Sequence, residues 1–139
     1  MLHVQRKLIP VRDAPVLPML GRIKAGSPTA MDAYETDPVS LDQFLVQHPG
    51  HTFLLRVSGD SMIDEGIHTG DLVILDKKRE PRNKDIVAAL IDDEWTLKYF
   101  HNENGSVFLT AANPKYPPLY PKQSLDIGGV VVSVIKKYY

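Results

Sequence analysis

The sequence predicts a mainly β fold in which one compact, β-rich domain follows an extended N-terminal arm. Three observations lead to this prediction. Short apolar, β-branched runs alternate with turn residues through the second half of the chain, whereas only one segment has the capped pattern of a longer helix. The beginning of the chain is rich in proline and has no sustained hydrophobic period. With 139 residues, the chain is long enough for one domain with a real core.

Residues 1–39 form the predicted arm, and residues 40–139 form the predicted domain. Five prolines interrupt the first segment, so we expect it to be extended and partly mobile. A helix-turn-helix domain would not fit it, because the segment is too short and too often broken. The prolines are Pro10, Pro15, Pro18, Pro28 and Pro38.

Two short helical segments are expected in the domain. Ser40–Gln43 has the form of a capping box, and Pro49-Gly50 would end the helix that it starts. Ser61–Glu65 is compatible with a single helical turn ended by Gly66.

Six segments have the pattern of strands, and Asp92-Asp93 links two of them as a hairpin. The segments are Phe53–Val57, Asp71–Asp76, Ile86–Ile91, Glu94–Phe100, Val107–Leu109 and Val130–Ile135.

Composition excludes several classes of function. The formal net charge of −1 gives no general attraction to nucleic acid or to an anionic membrane. Without cysteine, disulfides, thiolate metal sites and cysteine catalysis are excluded, and a reducing cytoplasm is the expected compartment. No apolar stretch approaches the roughly 20 residues that span a bilayer, and the early prolines argue against a secretory signal.

Ser61 is the candidate nucleophile, since it follows a strand in Val57-Ser58-Gly59-Asp60-Ser61-Met62. Gly59 permits a sharp bend that exposes the residues after it. A serine at the start of a helical turn lies beside free backbone amides, here those of Asp60 and Ser61, which could hold an oxyanion. The same residues are also ordinary turn composition, so this motif alone does not establish catalysis.

Lys98 is the candidate general base. Alternation along Glu94–Phe100 places it on one face with Thr96 and Phe100. A lysine accepts a proton only when it is uncharged, and burial among apolar groups favours that form. Thr96 would then orient the amine by a hydrogen bond. The alternative is a surface lysine that keeps its charge.

Ala25-Gly26 is the candidate cleavage site. Both side chains are small enough for a narrow cleft, and the bond lies in the predicted arm. At up to ~3.3 Å per residue, the chain between Gly26 and Ser61 can reach its own site or that of a second copy. Such tethering favours one cut over general proteolysis.

An ordered set of motifs resembles the LexA/UmuD family of self-cleaving Ser-Lys peptidases, over about residues 22–137. The matching segments are Ser58–Ile67, Gly70–Ile74, Asp85–Ala89, Thr96–Lys98, Asn113–Pro117 and Gly129–Val131.

The resemblance implies a compact β-rich peptidase domain and a mechanism. Lys98 would take the proton of Ser61, whose oxygen would attack the Ala25 carbonyl and cut before Gly26. No metal or other cofactor is implied. The resemblance also implies a homodimer and stimulation of the cut by a RecA filament on single-stranded DNA.

Within this family, the arm in place of a helix-turn-helix domain resembles the UmuD-type mutagenesis subunits. That branch implies an SOS-response protein whose product, residues 26–139, assists a UmuC-like Y-family polymerase in error-prone translesion synthesis. Alanine before the scissile glycine is instead the LexA-like choice.

Three alternatives remain. The first is a non-cleaving binding module of the same fold that regulates a polymerase or RecA. The second is a leader-type peptidase that acts on other proteins, which the missing membrane segment disfavours. The third is a DNA-binding repressor core, for which a near-neutral chain offers little electrostatic attraction.

Other motifs are better explained by structure than by chemistry. The basic stretch 77–84 is expected to be a solvated loop, and the five histidines lack metal spacing. Asp92-Asp93-Glu94 fits a turn rather than a pair of catalytic acids. Residues 116–121 fit a stiff connection between strands.

Overall fold

The computed structural model describes residues 15–26, 32–33 and 37–139, and its contacts divide the chain into two units, Met1–Gln47 and His48–Tyr139. In the first unit, four two-residue strands form two antiparallel pairs, β1 with β4 and β2 with β3. These short ladders were not predicted. The strands are β1 (Val16–Leu17), β2 (Gly21–Arg22), β3 (Asp32–Ala33) and β4 (Val39–Ser40).

The first unit ends with a short helix, α1 (Leu41–Leu45). The predicted N-cap is present, since the Gln43 N–H donates to Ser40 Oγ at 3.5 Å. The helix ends well before Pro49 because Val46, which is β-branched, adopts an extended backbone with φ −116° and ψ 105°. None of the helical residues is buried.

The second unit contains one six-stranded sheet, in which every neighbouring pair is antiparallel. The prediction of a mainly β fold is therefore confirmed. A 3-10 turn, Ile63–Glu65, lies after the first strand and ends at Gly66, which has a φ of 80°. The strands are β5 (Thr52–Arg56), β6 (Leu72–Asp76), β7 (Ile86–Ile91), β8 (Glu94–Glu103), β9 (Ser106–Thr110) and β10 (Leu125–Ile135).

The spatial order of the strands is β5-β6-β10-β7-β8-β9. The last strand in sequence therefore lies in the middle of the sheet and joins the β5–β6 half to the β7–β8–β9 half. The bounds agree closely with the predicted strands, but β8 and β10 are longer because each continues into partly exposed positions.

The sheet is covered by apolar residues on both faces, and successive residues of β7 divide between the two layers. Ala88 belongs to one layer, with Val73 and Leu75 of β6. Val87 and Ala89 belong to the other. The first layer also contains Met62 and Ile67, from the segment after β5, while the second contains Ile91, Phe100, Leu109 and Val130.

The β7–β8 hairpin turns at Asp92 and Asp93, which have positive φ values of 46° and 68°. The Asp92 carboxylate also accepts hydrogen bonds from three backbone N–H groups that precede β10. These N–H groups lower its pKa because they stabilise the charged form. The carboxylate thus fixes the hairpin tip to the connection that enters β10. The donors are those of Lys122, Gln123 and Ser124.

The first half of β8 has a free edge. β9 ends at Thr110, which pairs with Tyr99, so among the described residues no strand lies beside the preceding residues of β8 on that side. The Phe100 N–H and carbonyl bond to residues on the β7 side. Backbone groups alternate in direction along an antiparallel strand, so those of Leu97 point toward the free edge.

Replacement of Leu75, whose side chain is fully buried, by alanine should lower the free energy of unfolding by about 2–5 kcal/mol. The matched control is Leu54→Ala on the neighbouring strand, where the side chain is 56% exposed and a change below about 1 kcal/mol is expected. Urea unfolding followed by the fluorescence of Trp95 measures both. Equal losses would contradict the described core.

Candidate active site

The Ser61 loop is shaped by a glycine and held by a threonine. Gly59 has a φ of 107°, which favours glycine because a side chain there would be strained. The Gly59 N–H donates to Thr69 Oγ1 at 2.9 Å, and the Thr69 hydroxyl donates to the Gly59 carbonyl at 3.2 Å. Met62, only 2% exposed, anchors the end of the loop in the core.

Ser61 and Lys98 meet at one backbone carbonyl. Ser61 Oγ donates a hydrogen bond to the Leu97 oxygen at 3.2 Å, and Lys98 Nζ donates to the same oxygen at 3.3 Å. Lys98 Nζ also donates to Thr96 Oγ1. The hydroxyl and the amine are therefore neighbours on the free edge of β8.

The environment of Lys98 favours the uncharged amine. Lys98 is 6% exposed and pairs with Val87 of β7. It lies on the side of the sheet where Phe100 is buried. Burial lowers the pKa of the Lys98 amine from its ordinary 10.5, because the ammonium form loses its hydration. A buried amine of this kind can serve as a proton acceptor.

Two backbone amides remain available beside the serine. Within the part of the chain that the structure describes, the N–H groups of Asp60 and Ser61 donate no hydrogen bond. The Asp60 carbonyl, in contrast, accepts from Asn113 Nδ2 at 2.9 Å and from the Ile63 N–H at 3.4 Å. Free amides next to a hydroxyl have the chemistry of an oxyanion hole.

A second segment, residues 113–116, fixes the Ser61 loop. Besides the bond from Asn113, the Asp60 carboxylate accepts from the Tyr116 hydroxyl and, at 3.1 Å, from Lys115 Nζ. These two bonds, that of Tyr116 first, lower the pKa of Asp60. No local sequence pattern predicts these roles, although Asn113–Pro117 is one of the segments that resemble the LexA/UmuD family.

A cleft of about 220 Å³ lies beside the site. The end of β5 and Ser58 form one wall, and the first half of β8 forms the other. Most of the remaining lining is apolar, which suits small, uncharged side chains. The lining residues are Leu55, Arg56, Val57, Ser58, Val73, Ala88, Trp95, Thr96 and Leu97.

The predicted cleavage site, Ala25-Gly26, belongs to the first unit, and both residues are exposed in a bend. Gly26 has a φ of 142°, within the range that favours glycine. Exposed apolar side chains lie near it in sequence. They are Val16, Leu17, Met19, Leu20 and Ile23.

Among the residues that the structure describes, no group of three or more histidine, aspartate or glutamate side chains is placed to hold a metal ion. No helix of that part of the chain is long and apolar enough to cross a membrane.

The pKa of Lys98 predicts how stability depends on pH. Below pH 10.5 but above the lowered folded-state pKa, the unfolded chain binds a proton that the folded chain does not. The free energy of unfolding of Ser61→Ala, which removes the candidate nucleophile, should therefore rise with pH through this window up to pH 10. The part of this rise that comes from Lys98 should vanish in Ser61→Ala/Lys98→Met and persist in Ser61→Ala/Lys122→Met. Denaturant unfolding between pH 7 and 10 tests this, and identical slopes in all three variants would refute it.

The chain is similar to known proteins over most of its length. Residues 18–132 match the family described as Peptidase S24-like. The LexA repressor of Arthrobacter sp. (strain FB24) is 41% identical over 130 residues, which are 94% of this chain and 51% of that protein. LexA repressor 1 of Nocardia farcinica (strain IFM 10152) is 40% identical over 136 residues, 98% of this chain and 62% of the repressor.

The LexA repressor of Bifidobacterium adolescentis is 41% identical over 121 residues, 87% of this chain and 46% of that repressor. The chain thus spans about half to three fifths of the length of these relatives. It belongs to the Peptidase S24-like family of LexA and UmuD proteins, whose members are self-cleaving serine peptidases.

Proposed function

We propose that this chain is a self-cleaving SOS-response protein that cuts its own Ala25–Gly26 bond with Ser61 as nucleophile and Lys98 as general base. One observation carries the proposal. The Ser61 hydroxyl and the buried Lys98 amine bind the same Leu97 carbonyl, so nucleophile and base are neighbours in a site that favours the neutral amine.

The reaction begins when the Ser61 hydroxyl turns from the Leu97 carbonyl to the neutral Lys98 amine. Nζ takes the proton while Oγ bonds to the carbonyl carbon of Ala25. The amides of Asp60 and Ser61 hold the oxyanion. The C–N bond then breaks, and Lys98 returns the proton to the amine of Gly26. Water hydrolyses the acyl ester by the same route in reverse.

Thr96 and the Leu97 carbonyl orient the base. Both accept hydrogen bonds from Lys98 Nζ, so the amine is held at two points instead of rotating freely. When Lys98 is neutral, its remaining lone pair can face Ser61. Thr96 is thus a positioning residue rather than a reacting one.

The substrate segment binds the free edge of β8. The unpaired backbone groups near Leu97 can add one more strand, and the apolar cleft can take side chains that flank the cut. The exposed apolar residues near Ala25-Gly26 suit this role. A cut then changes which surface of the protein is covered.

Stimulation by a RecA filament on single-stranded DNA follows from the resemblance. The filament needs only to favour the docked arrangement over the undocked one. We propose a cytoplasmic homodimer as the reacting species. Its cleaved form, residues 26–139, acts as accessory subunit of a UmuC-like Y-family polymerase.

A second output is favoured by the relatives, which carry the name LexA repressor. In that case the cut inactivates a repressor rather than activating a polymerase subunit. Co-purification of the cleaved protein with a UmuC-like polymerase would support the first output. Loss of binding to promoter DNA of damage-inducible genes on cleavage would support the second.

The purified protein should release a fragment that begins at Gly26 during alkaline incubation without RecA. Because Lys98 must be neutral, the rate should rise from pH 7 and level off below the ordinary lysine value of 10.5. Ser61→Ala and Lys98→Ala should each slow the cut by roughly 10³-fold or more. Mass spectrometry of the intact mixture identifies the new terminus and its rate.

Ser106→Ala and Lys122→Ala, which change exposed residues elsewhere in the second unit, are the matched controls and should cleave like wild type. An intact wild-type chain under all conditions would support the non-cleaving binding module instead. A rate that does not vary with pH would exclude Lys98 as the base.

A further inference from the structure

We propose that Tyr116 is a positioning residue that serves both halves of the reaction. Its hydroxyl fixes Asp60, and with it the amides that receive the oxyanion, while its ring covers the Lys98 amine against water. This inference rests on the proposed self-cleavage and assigns a role to a residue outside the Ser-Lys pair.

The hydroxyl acts on the oxyanion side. Tyr116 donates to one oxygen of the Asp60 carboxylate, Lys115 Nζ donates to the other at 3.1 Å, and Asn113 Nδ2 donates to the Asp60 carbonyl at 2.9 Å. Three donors from one short segment thus hold one residue by its side chain and its backbone. Since Asp60 precedes Ser61 directly, these hydrogen bonds also fix the direction of the Ser61 N–H.

A backbone hydrogen bond also joins the Ser61 loop to the segment that carries Tyr116. The Asp64 N–H donates to the Ala112 carbonyl at 2.8 Å, so the 3-10 turn after Ser61 is bound to the residue just before Asn113. The Ser61 loop is therefore held by the same segment on both sides of the nucleophile.

The ring acts on the base side. Lys98 Nζ lies 5.9 Å from the centre of the Tyr116 ring. Lys98 is 6% exposed, whereas Tyr116 is 37% exposed, so a partly solvated ring is close to a buried amine. Removal of the ring would admit water to the amine.

The ring has two opposite effects on the charge of the amine. A cation above an aromatic face is attracted to it, but 5.9 Å is close to the roughly 6 Å limit of that interaction, where its strength is small. Exclusion of water disfavours the ammonium form. Exclusion of water by the ring acts in the same direction as the burial that lowers the pKa of Lys98.

In the described part of the chain, the other neighbours of Lys98 come from the sheet and from the Ser61 loop. The strand of Lys98, β8, contributes Thr96 and the apolar Phe100. The neighbouring strand β7 contributes Val87, which lies opposite Lys98. The Ser61 loop contributes Ser61, which shares the Leu97 carbonyl with Lys98, and the Asp60 carboxylate accepts from the Tyr116 hydroxyl. The charge of that carboxylate is paired with Lys115 from the segment of Tyr116.

The two roles can be separated by two substitutions. Tyr116→Phe removes the hydroxyl and keeps the ring, so the plateau rate of self-cleavage should fall by roughly tenfold, as for a lost hydrogen bond to a charged group. The pH at half of the plateau rate should not move. Tyr116→Ala removes both, so the plateau should fall and the half-plateau pH should rise.

Self-cleavage is measured from pH 7 to 10 for wild type and both variants. Burial and, after it, the hydrogen bond to Glu65 raise the pKa of Tyr99 to about 12. The hydrogen bond to Asp60 raises the pKa of Tyr116 above its ordinary 10.0. Both tyrosines therefore ionise less in this range than a free tyrosine does. The matched control is Tyr120→Ala, which removes a 61% exposed tyrosine that stacks on Phe108. It should behave as wild type.

A change in half-plateau pH in Tyr116→Phe, or none in Tyr116→Ala, would overturn the assignment. Thermal unfolding of each variant verifies the fold. A loss of stability alone would lower the plateau in both variants without this difference in pH.

A second measurement does not depend on cleavage. In Ser61→Ala, the pKa of Lys98 is followed by NMR of a 13C-labelled lysine side chain, with and without Tyr116→Ala. A higher pKa in the double variant supports the role of the ring even if the wild-type chain never cleaves, and an unchanged pKa refutes it. A failure of the proposed function and a failure of this inference are therefore distinguishable.

Discussion

The carbonyl of Leu97 is the interaction on which the rest of the site depends. It accepts hydrogen bonds from both Ser61 and Lys98 and is free to do so because β9 ends opposite Tyr99. In an antiparallel sheet, a partner strand that continued for two more residue pairs would engage this carbonyl in the ladder. The early end of one strand thus provides an acceptor at which the Ser61 hydroxyl and the Lys98 amine meet.

The site is assembled from segments far apart in sequence, and each is fixed by a different kind of bond. A buried methionine holds the Ser61 loop to the core, sheet pairing with β7 holds Lys98, and hydrogen bonds to Asp60 hold the segment 113–116. Since the flanking carboxylate of Asp60 is paired with Lys115, its charge is largely cancelled. Desolvation is therefore the main influence on the pKa of the Lys98 amine.

Much of this arrangement could be predicted from the sequence, because strands and turns are local. Alternation along β8 put Lys98 with Phe100, and Asp92-Asp93 marked the hairpin. Long-range partners could not be predicted, because no local pattern encodes them. The buried Asp76 is an example, since its carboxylate is paired with His48, 2.5 Å away and from a segment before β5. Tyr116 is another, because a tyrosine in a proline-rich connection gives no sign that its hydroxyl will donate a hydrogen bond to a carboxylate from another loop.

The position of β10 has a consequence for the order of events during synthesis. This strand is the last of the sheet to leave the ribosome, yet it separates the half that carries Ser61 from the half that carries Lys98. Until it inserts, β6 and β7 have no shared neighbour, and the proposed nucleophile and base have no common framework. For the proposed self-cleavage, this order means that a nascent chain cannot cut itself before translation of the domain is complete.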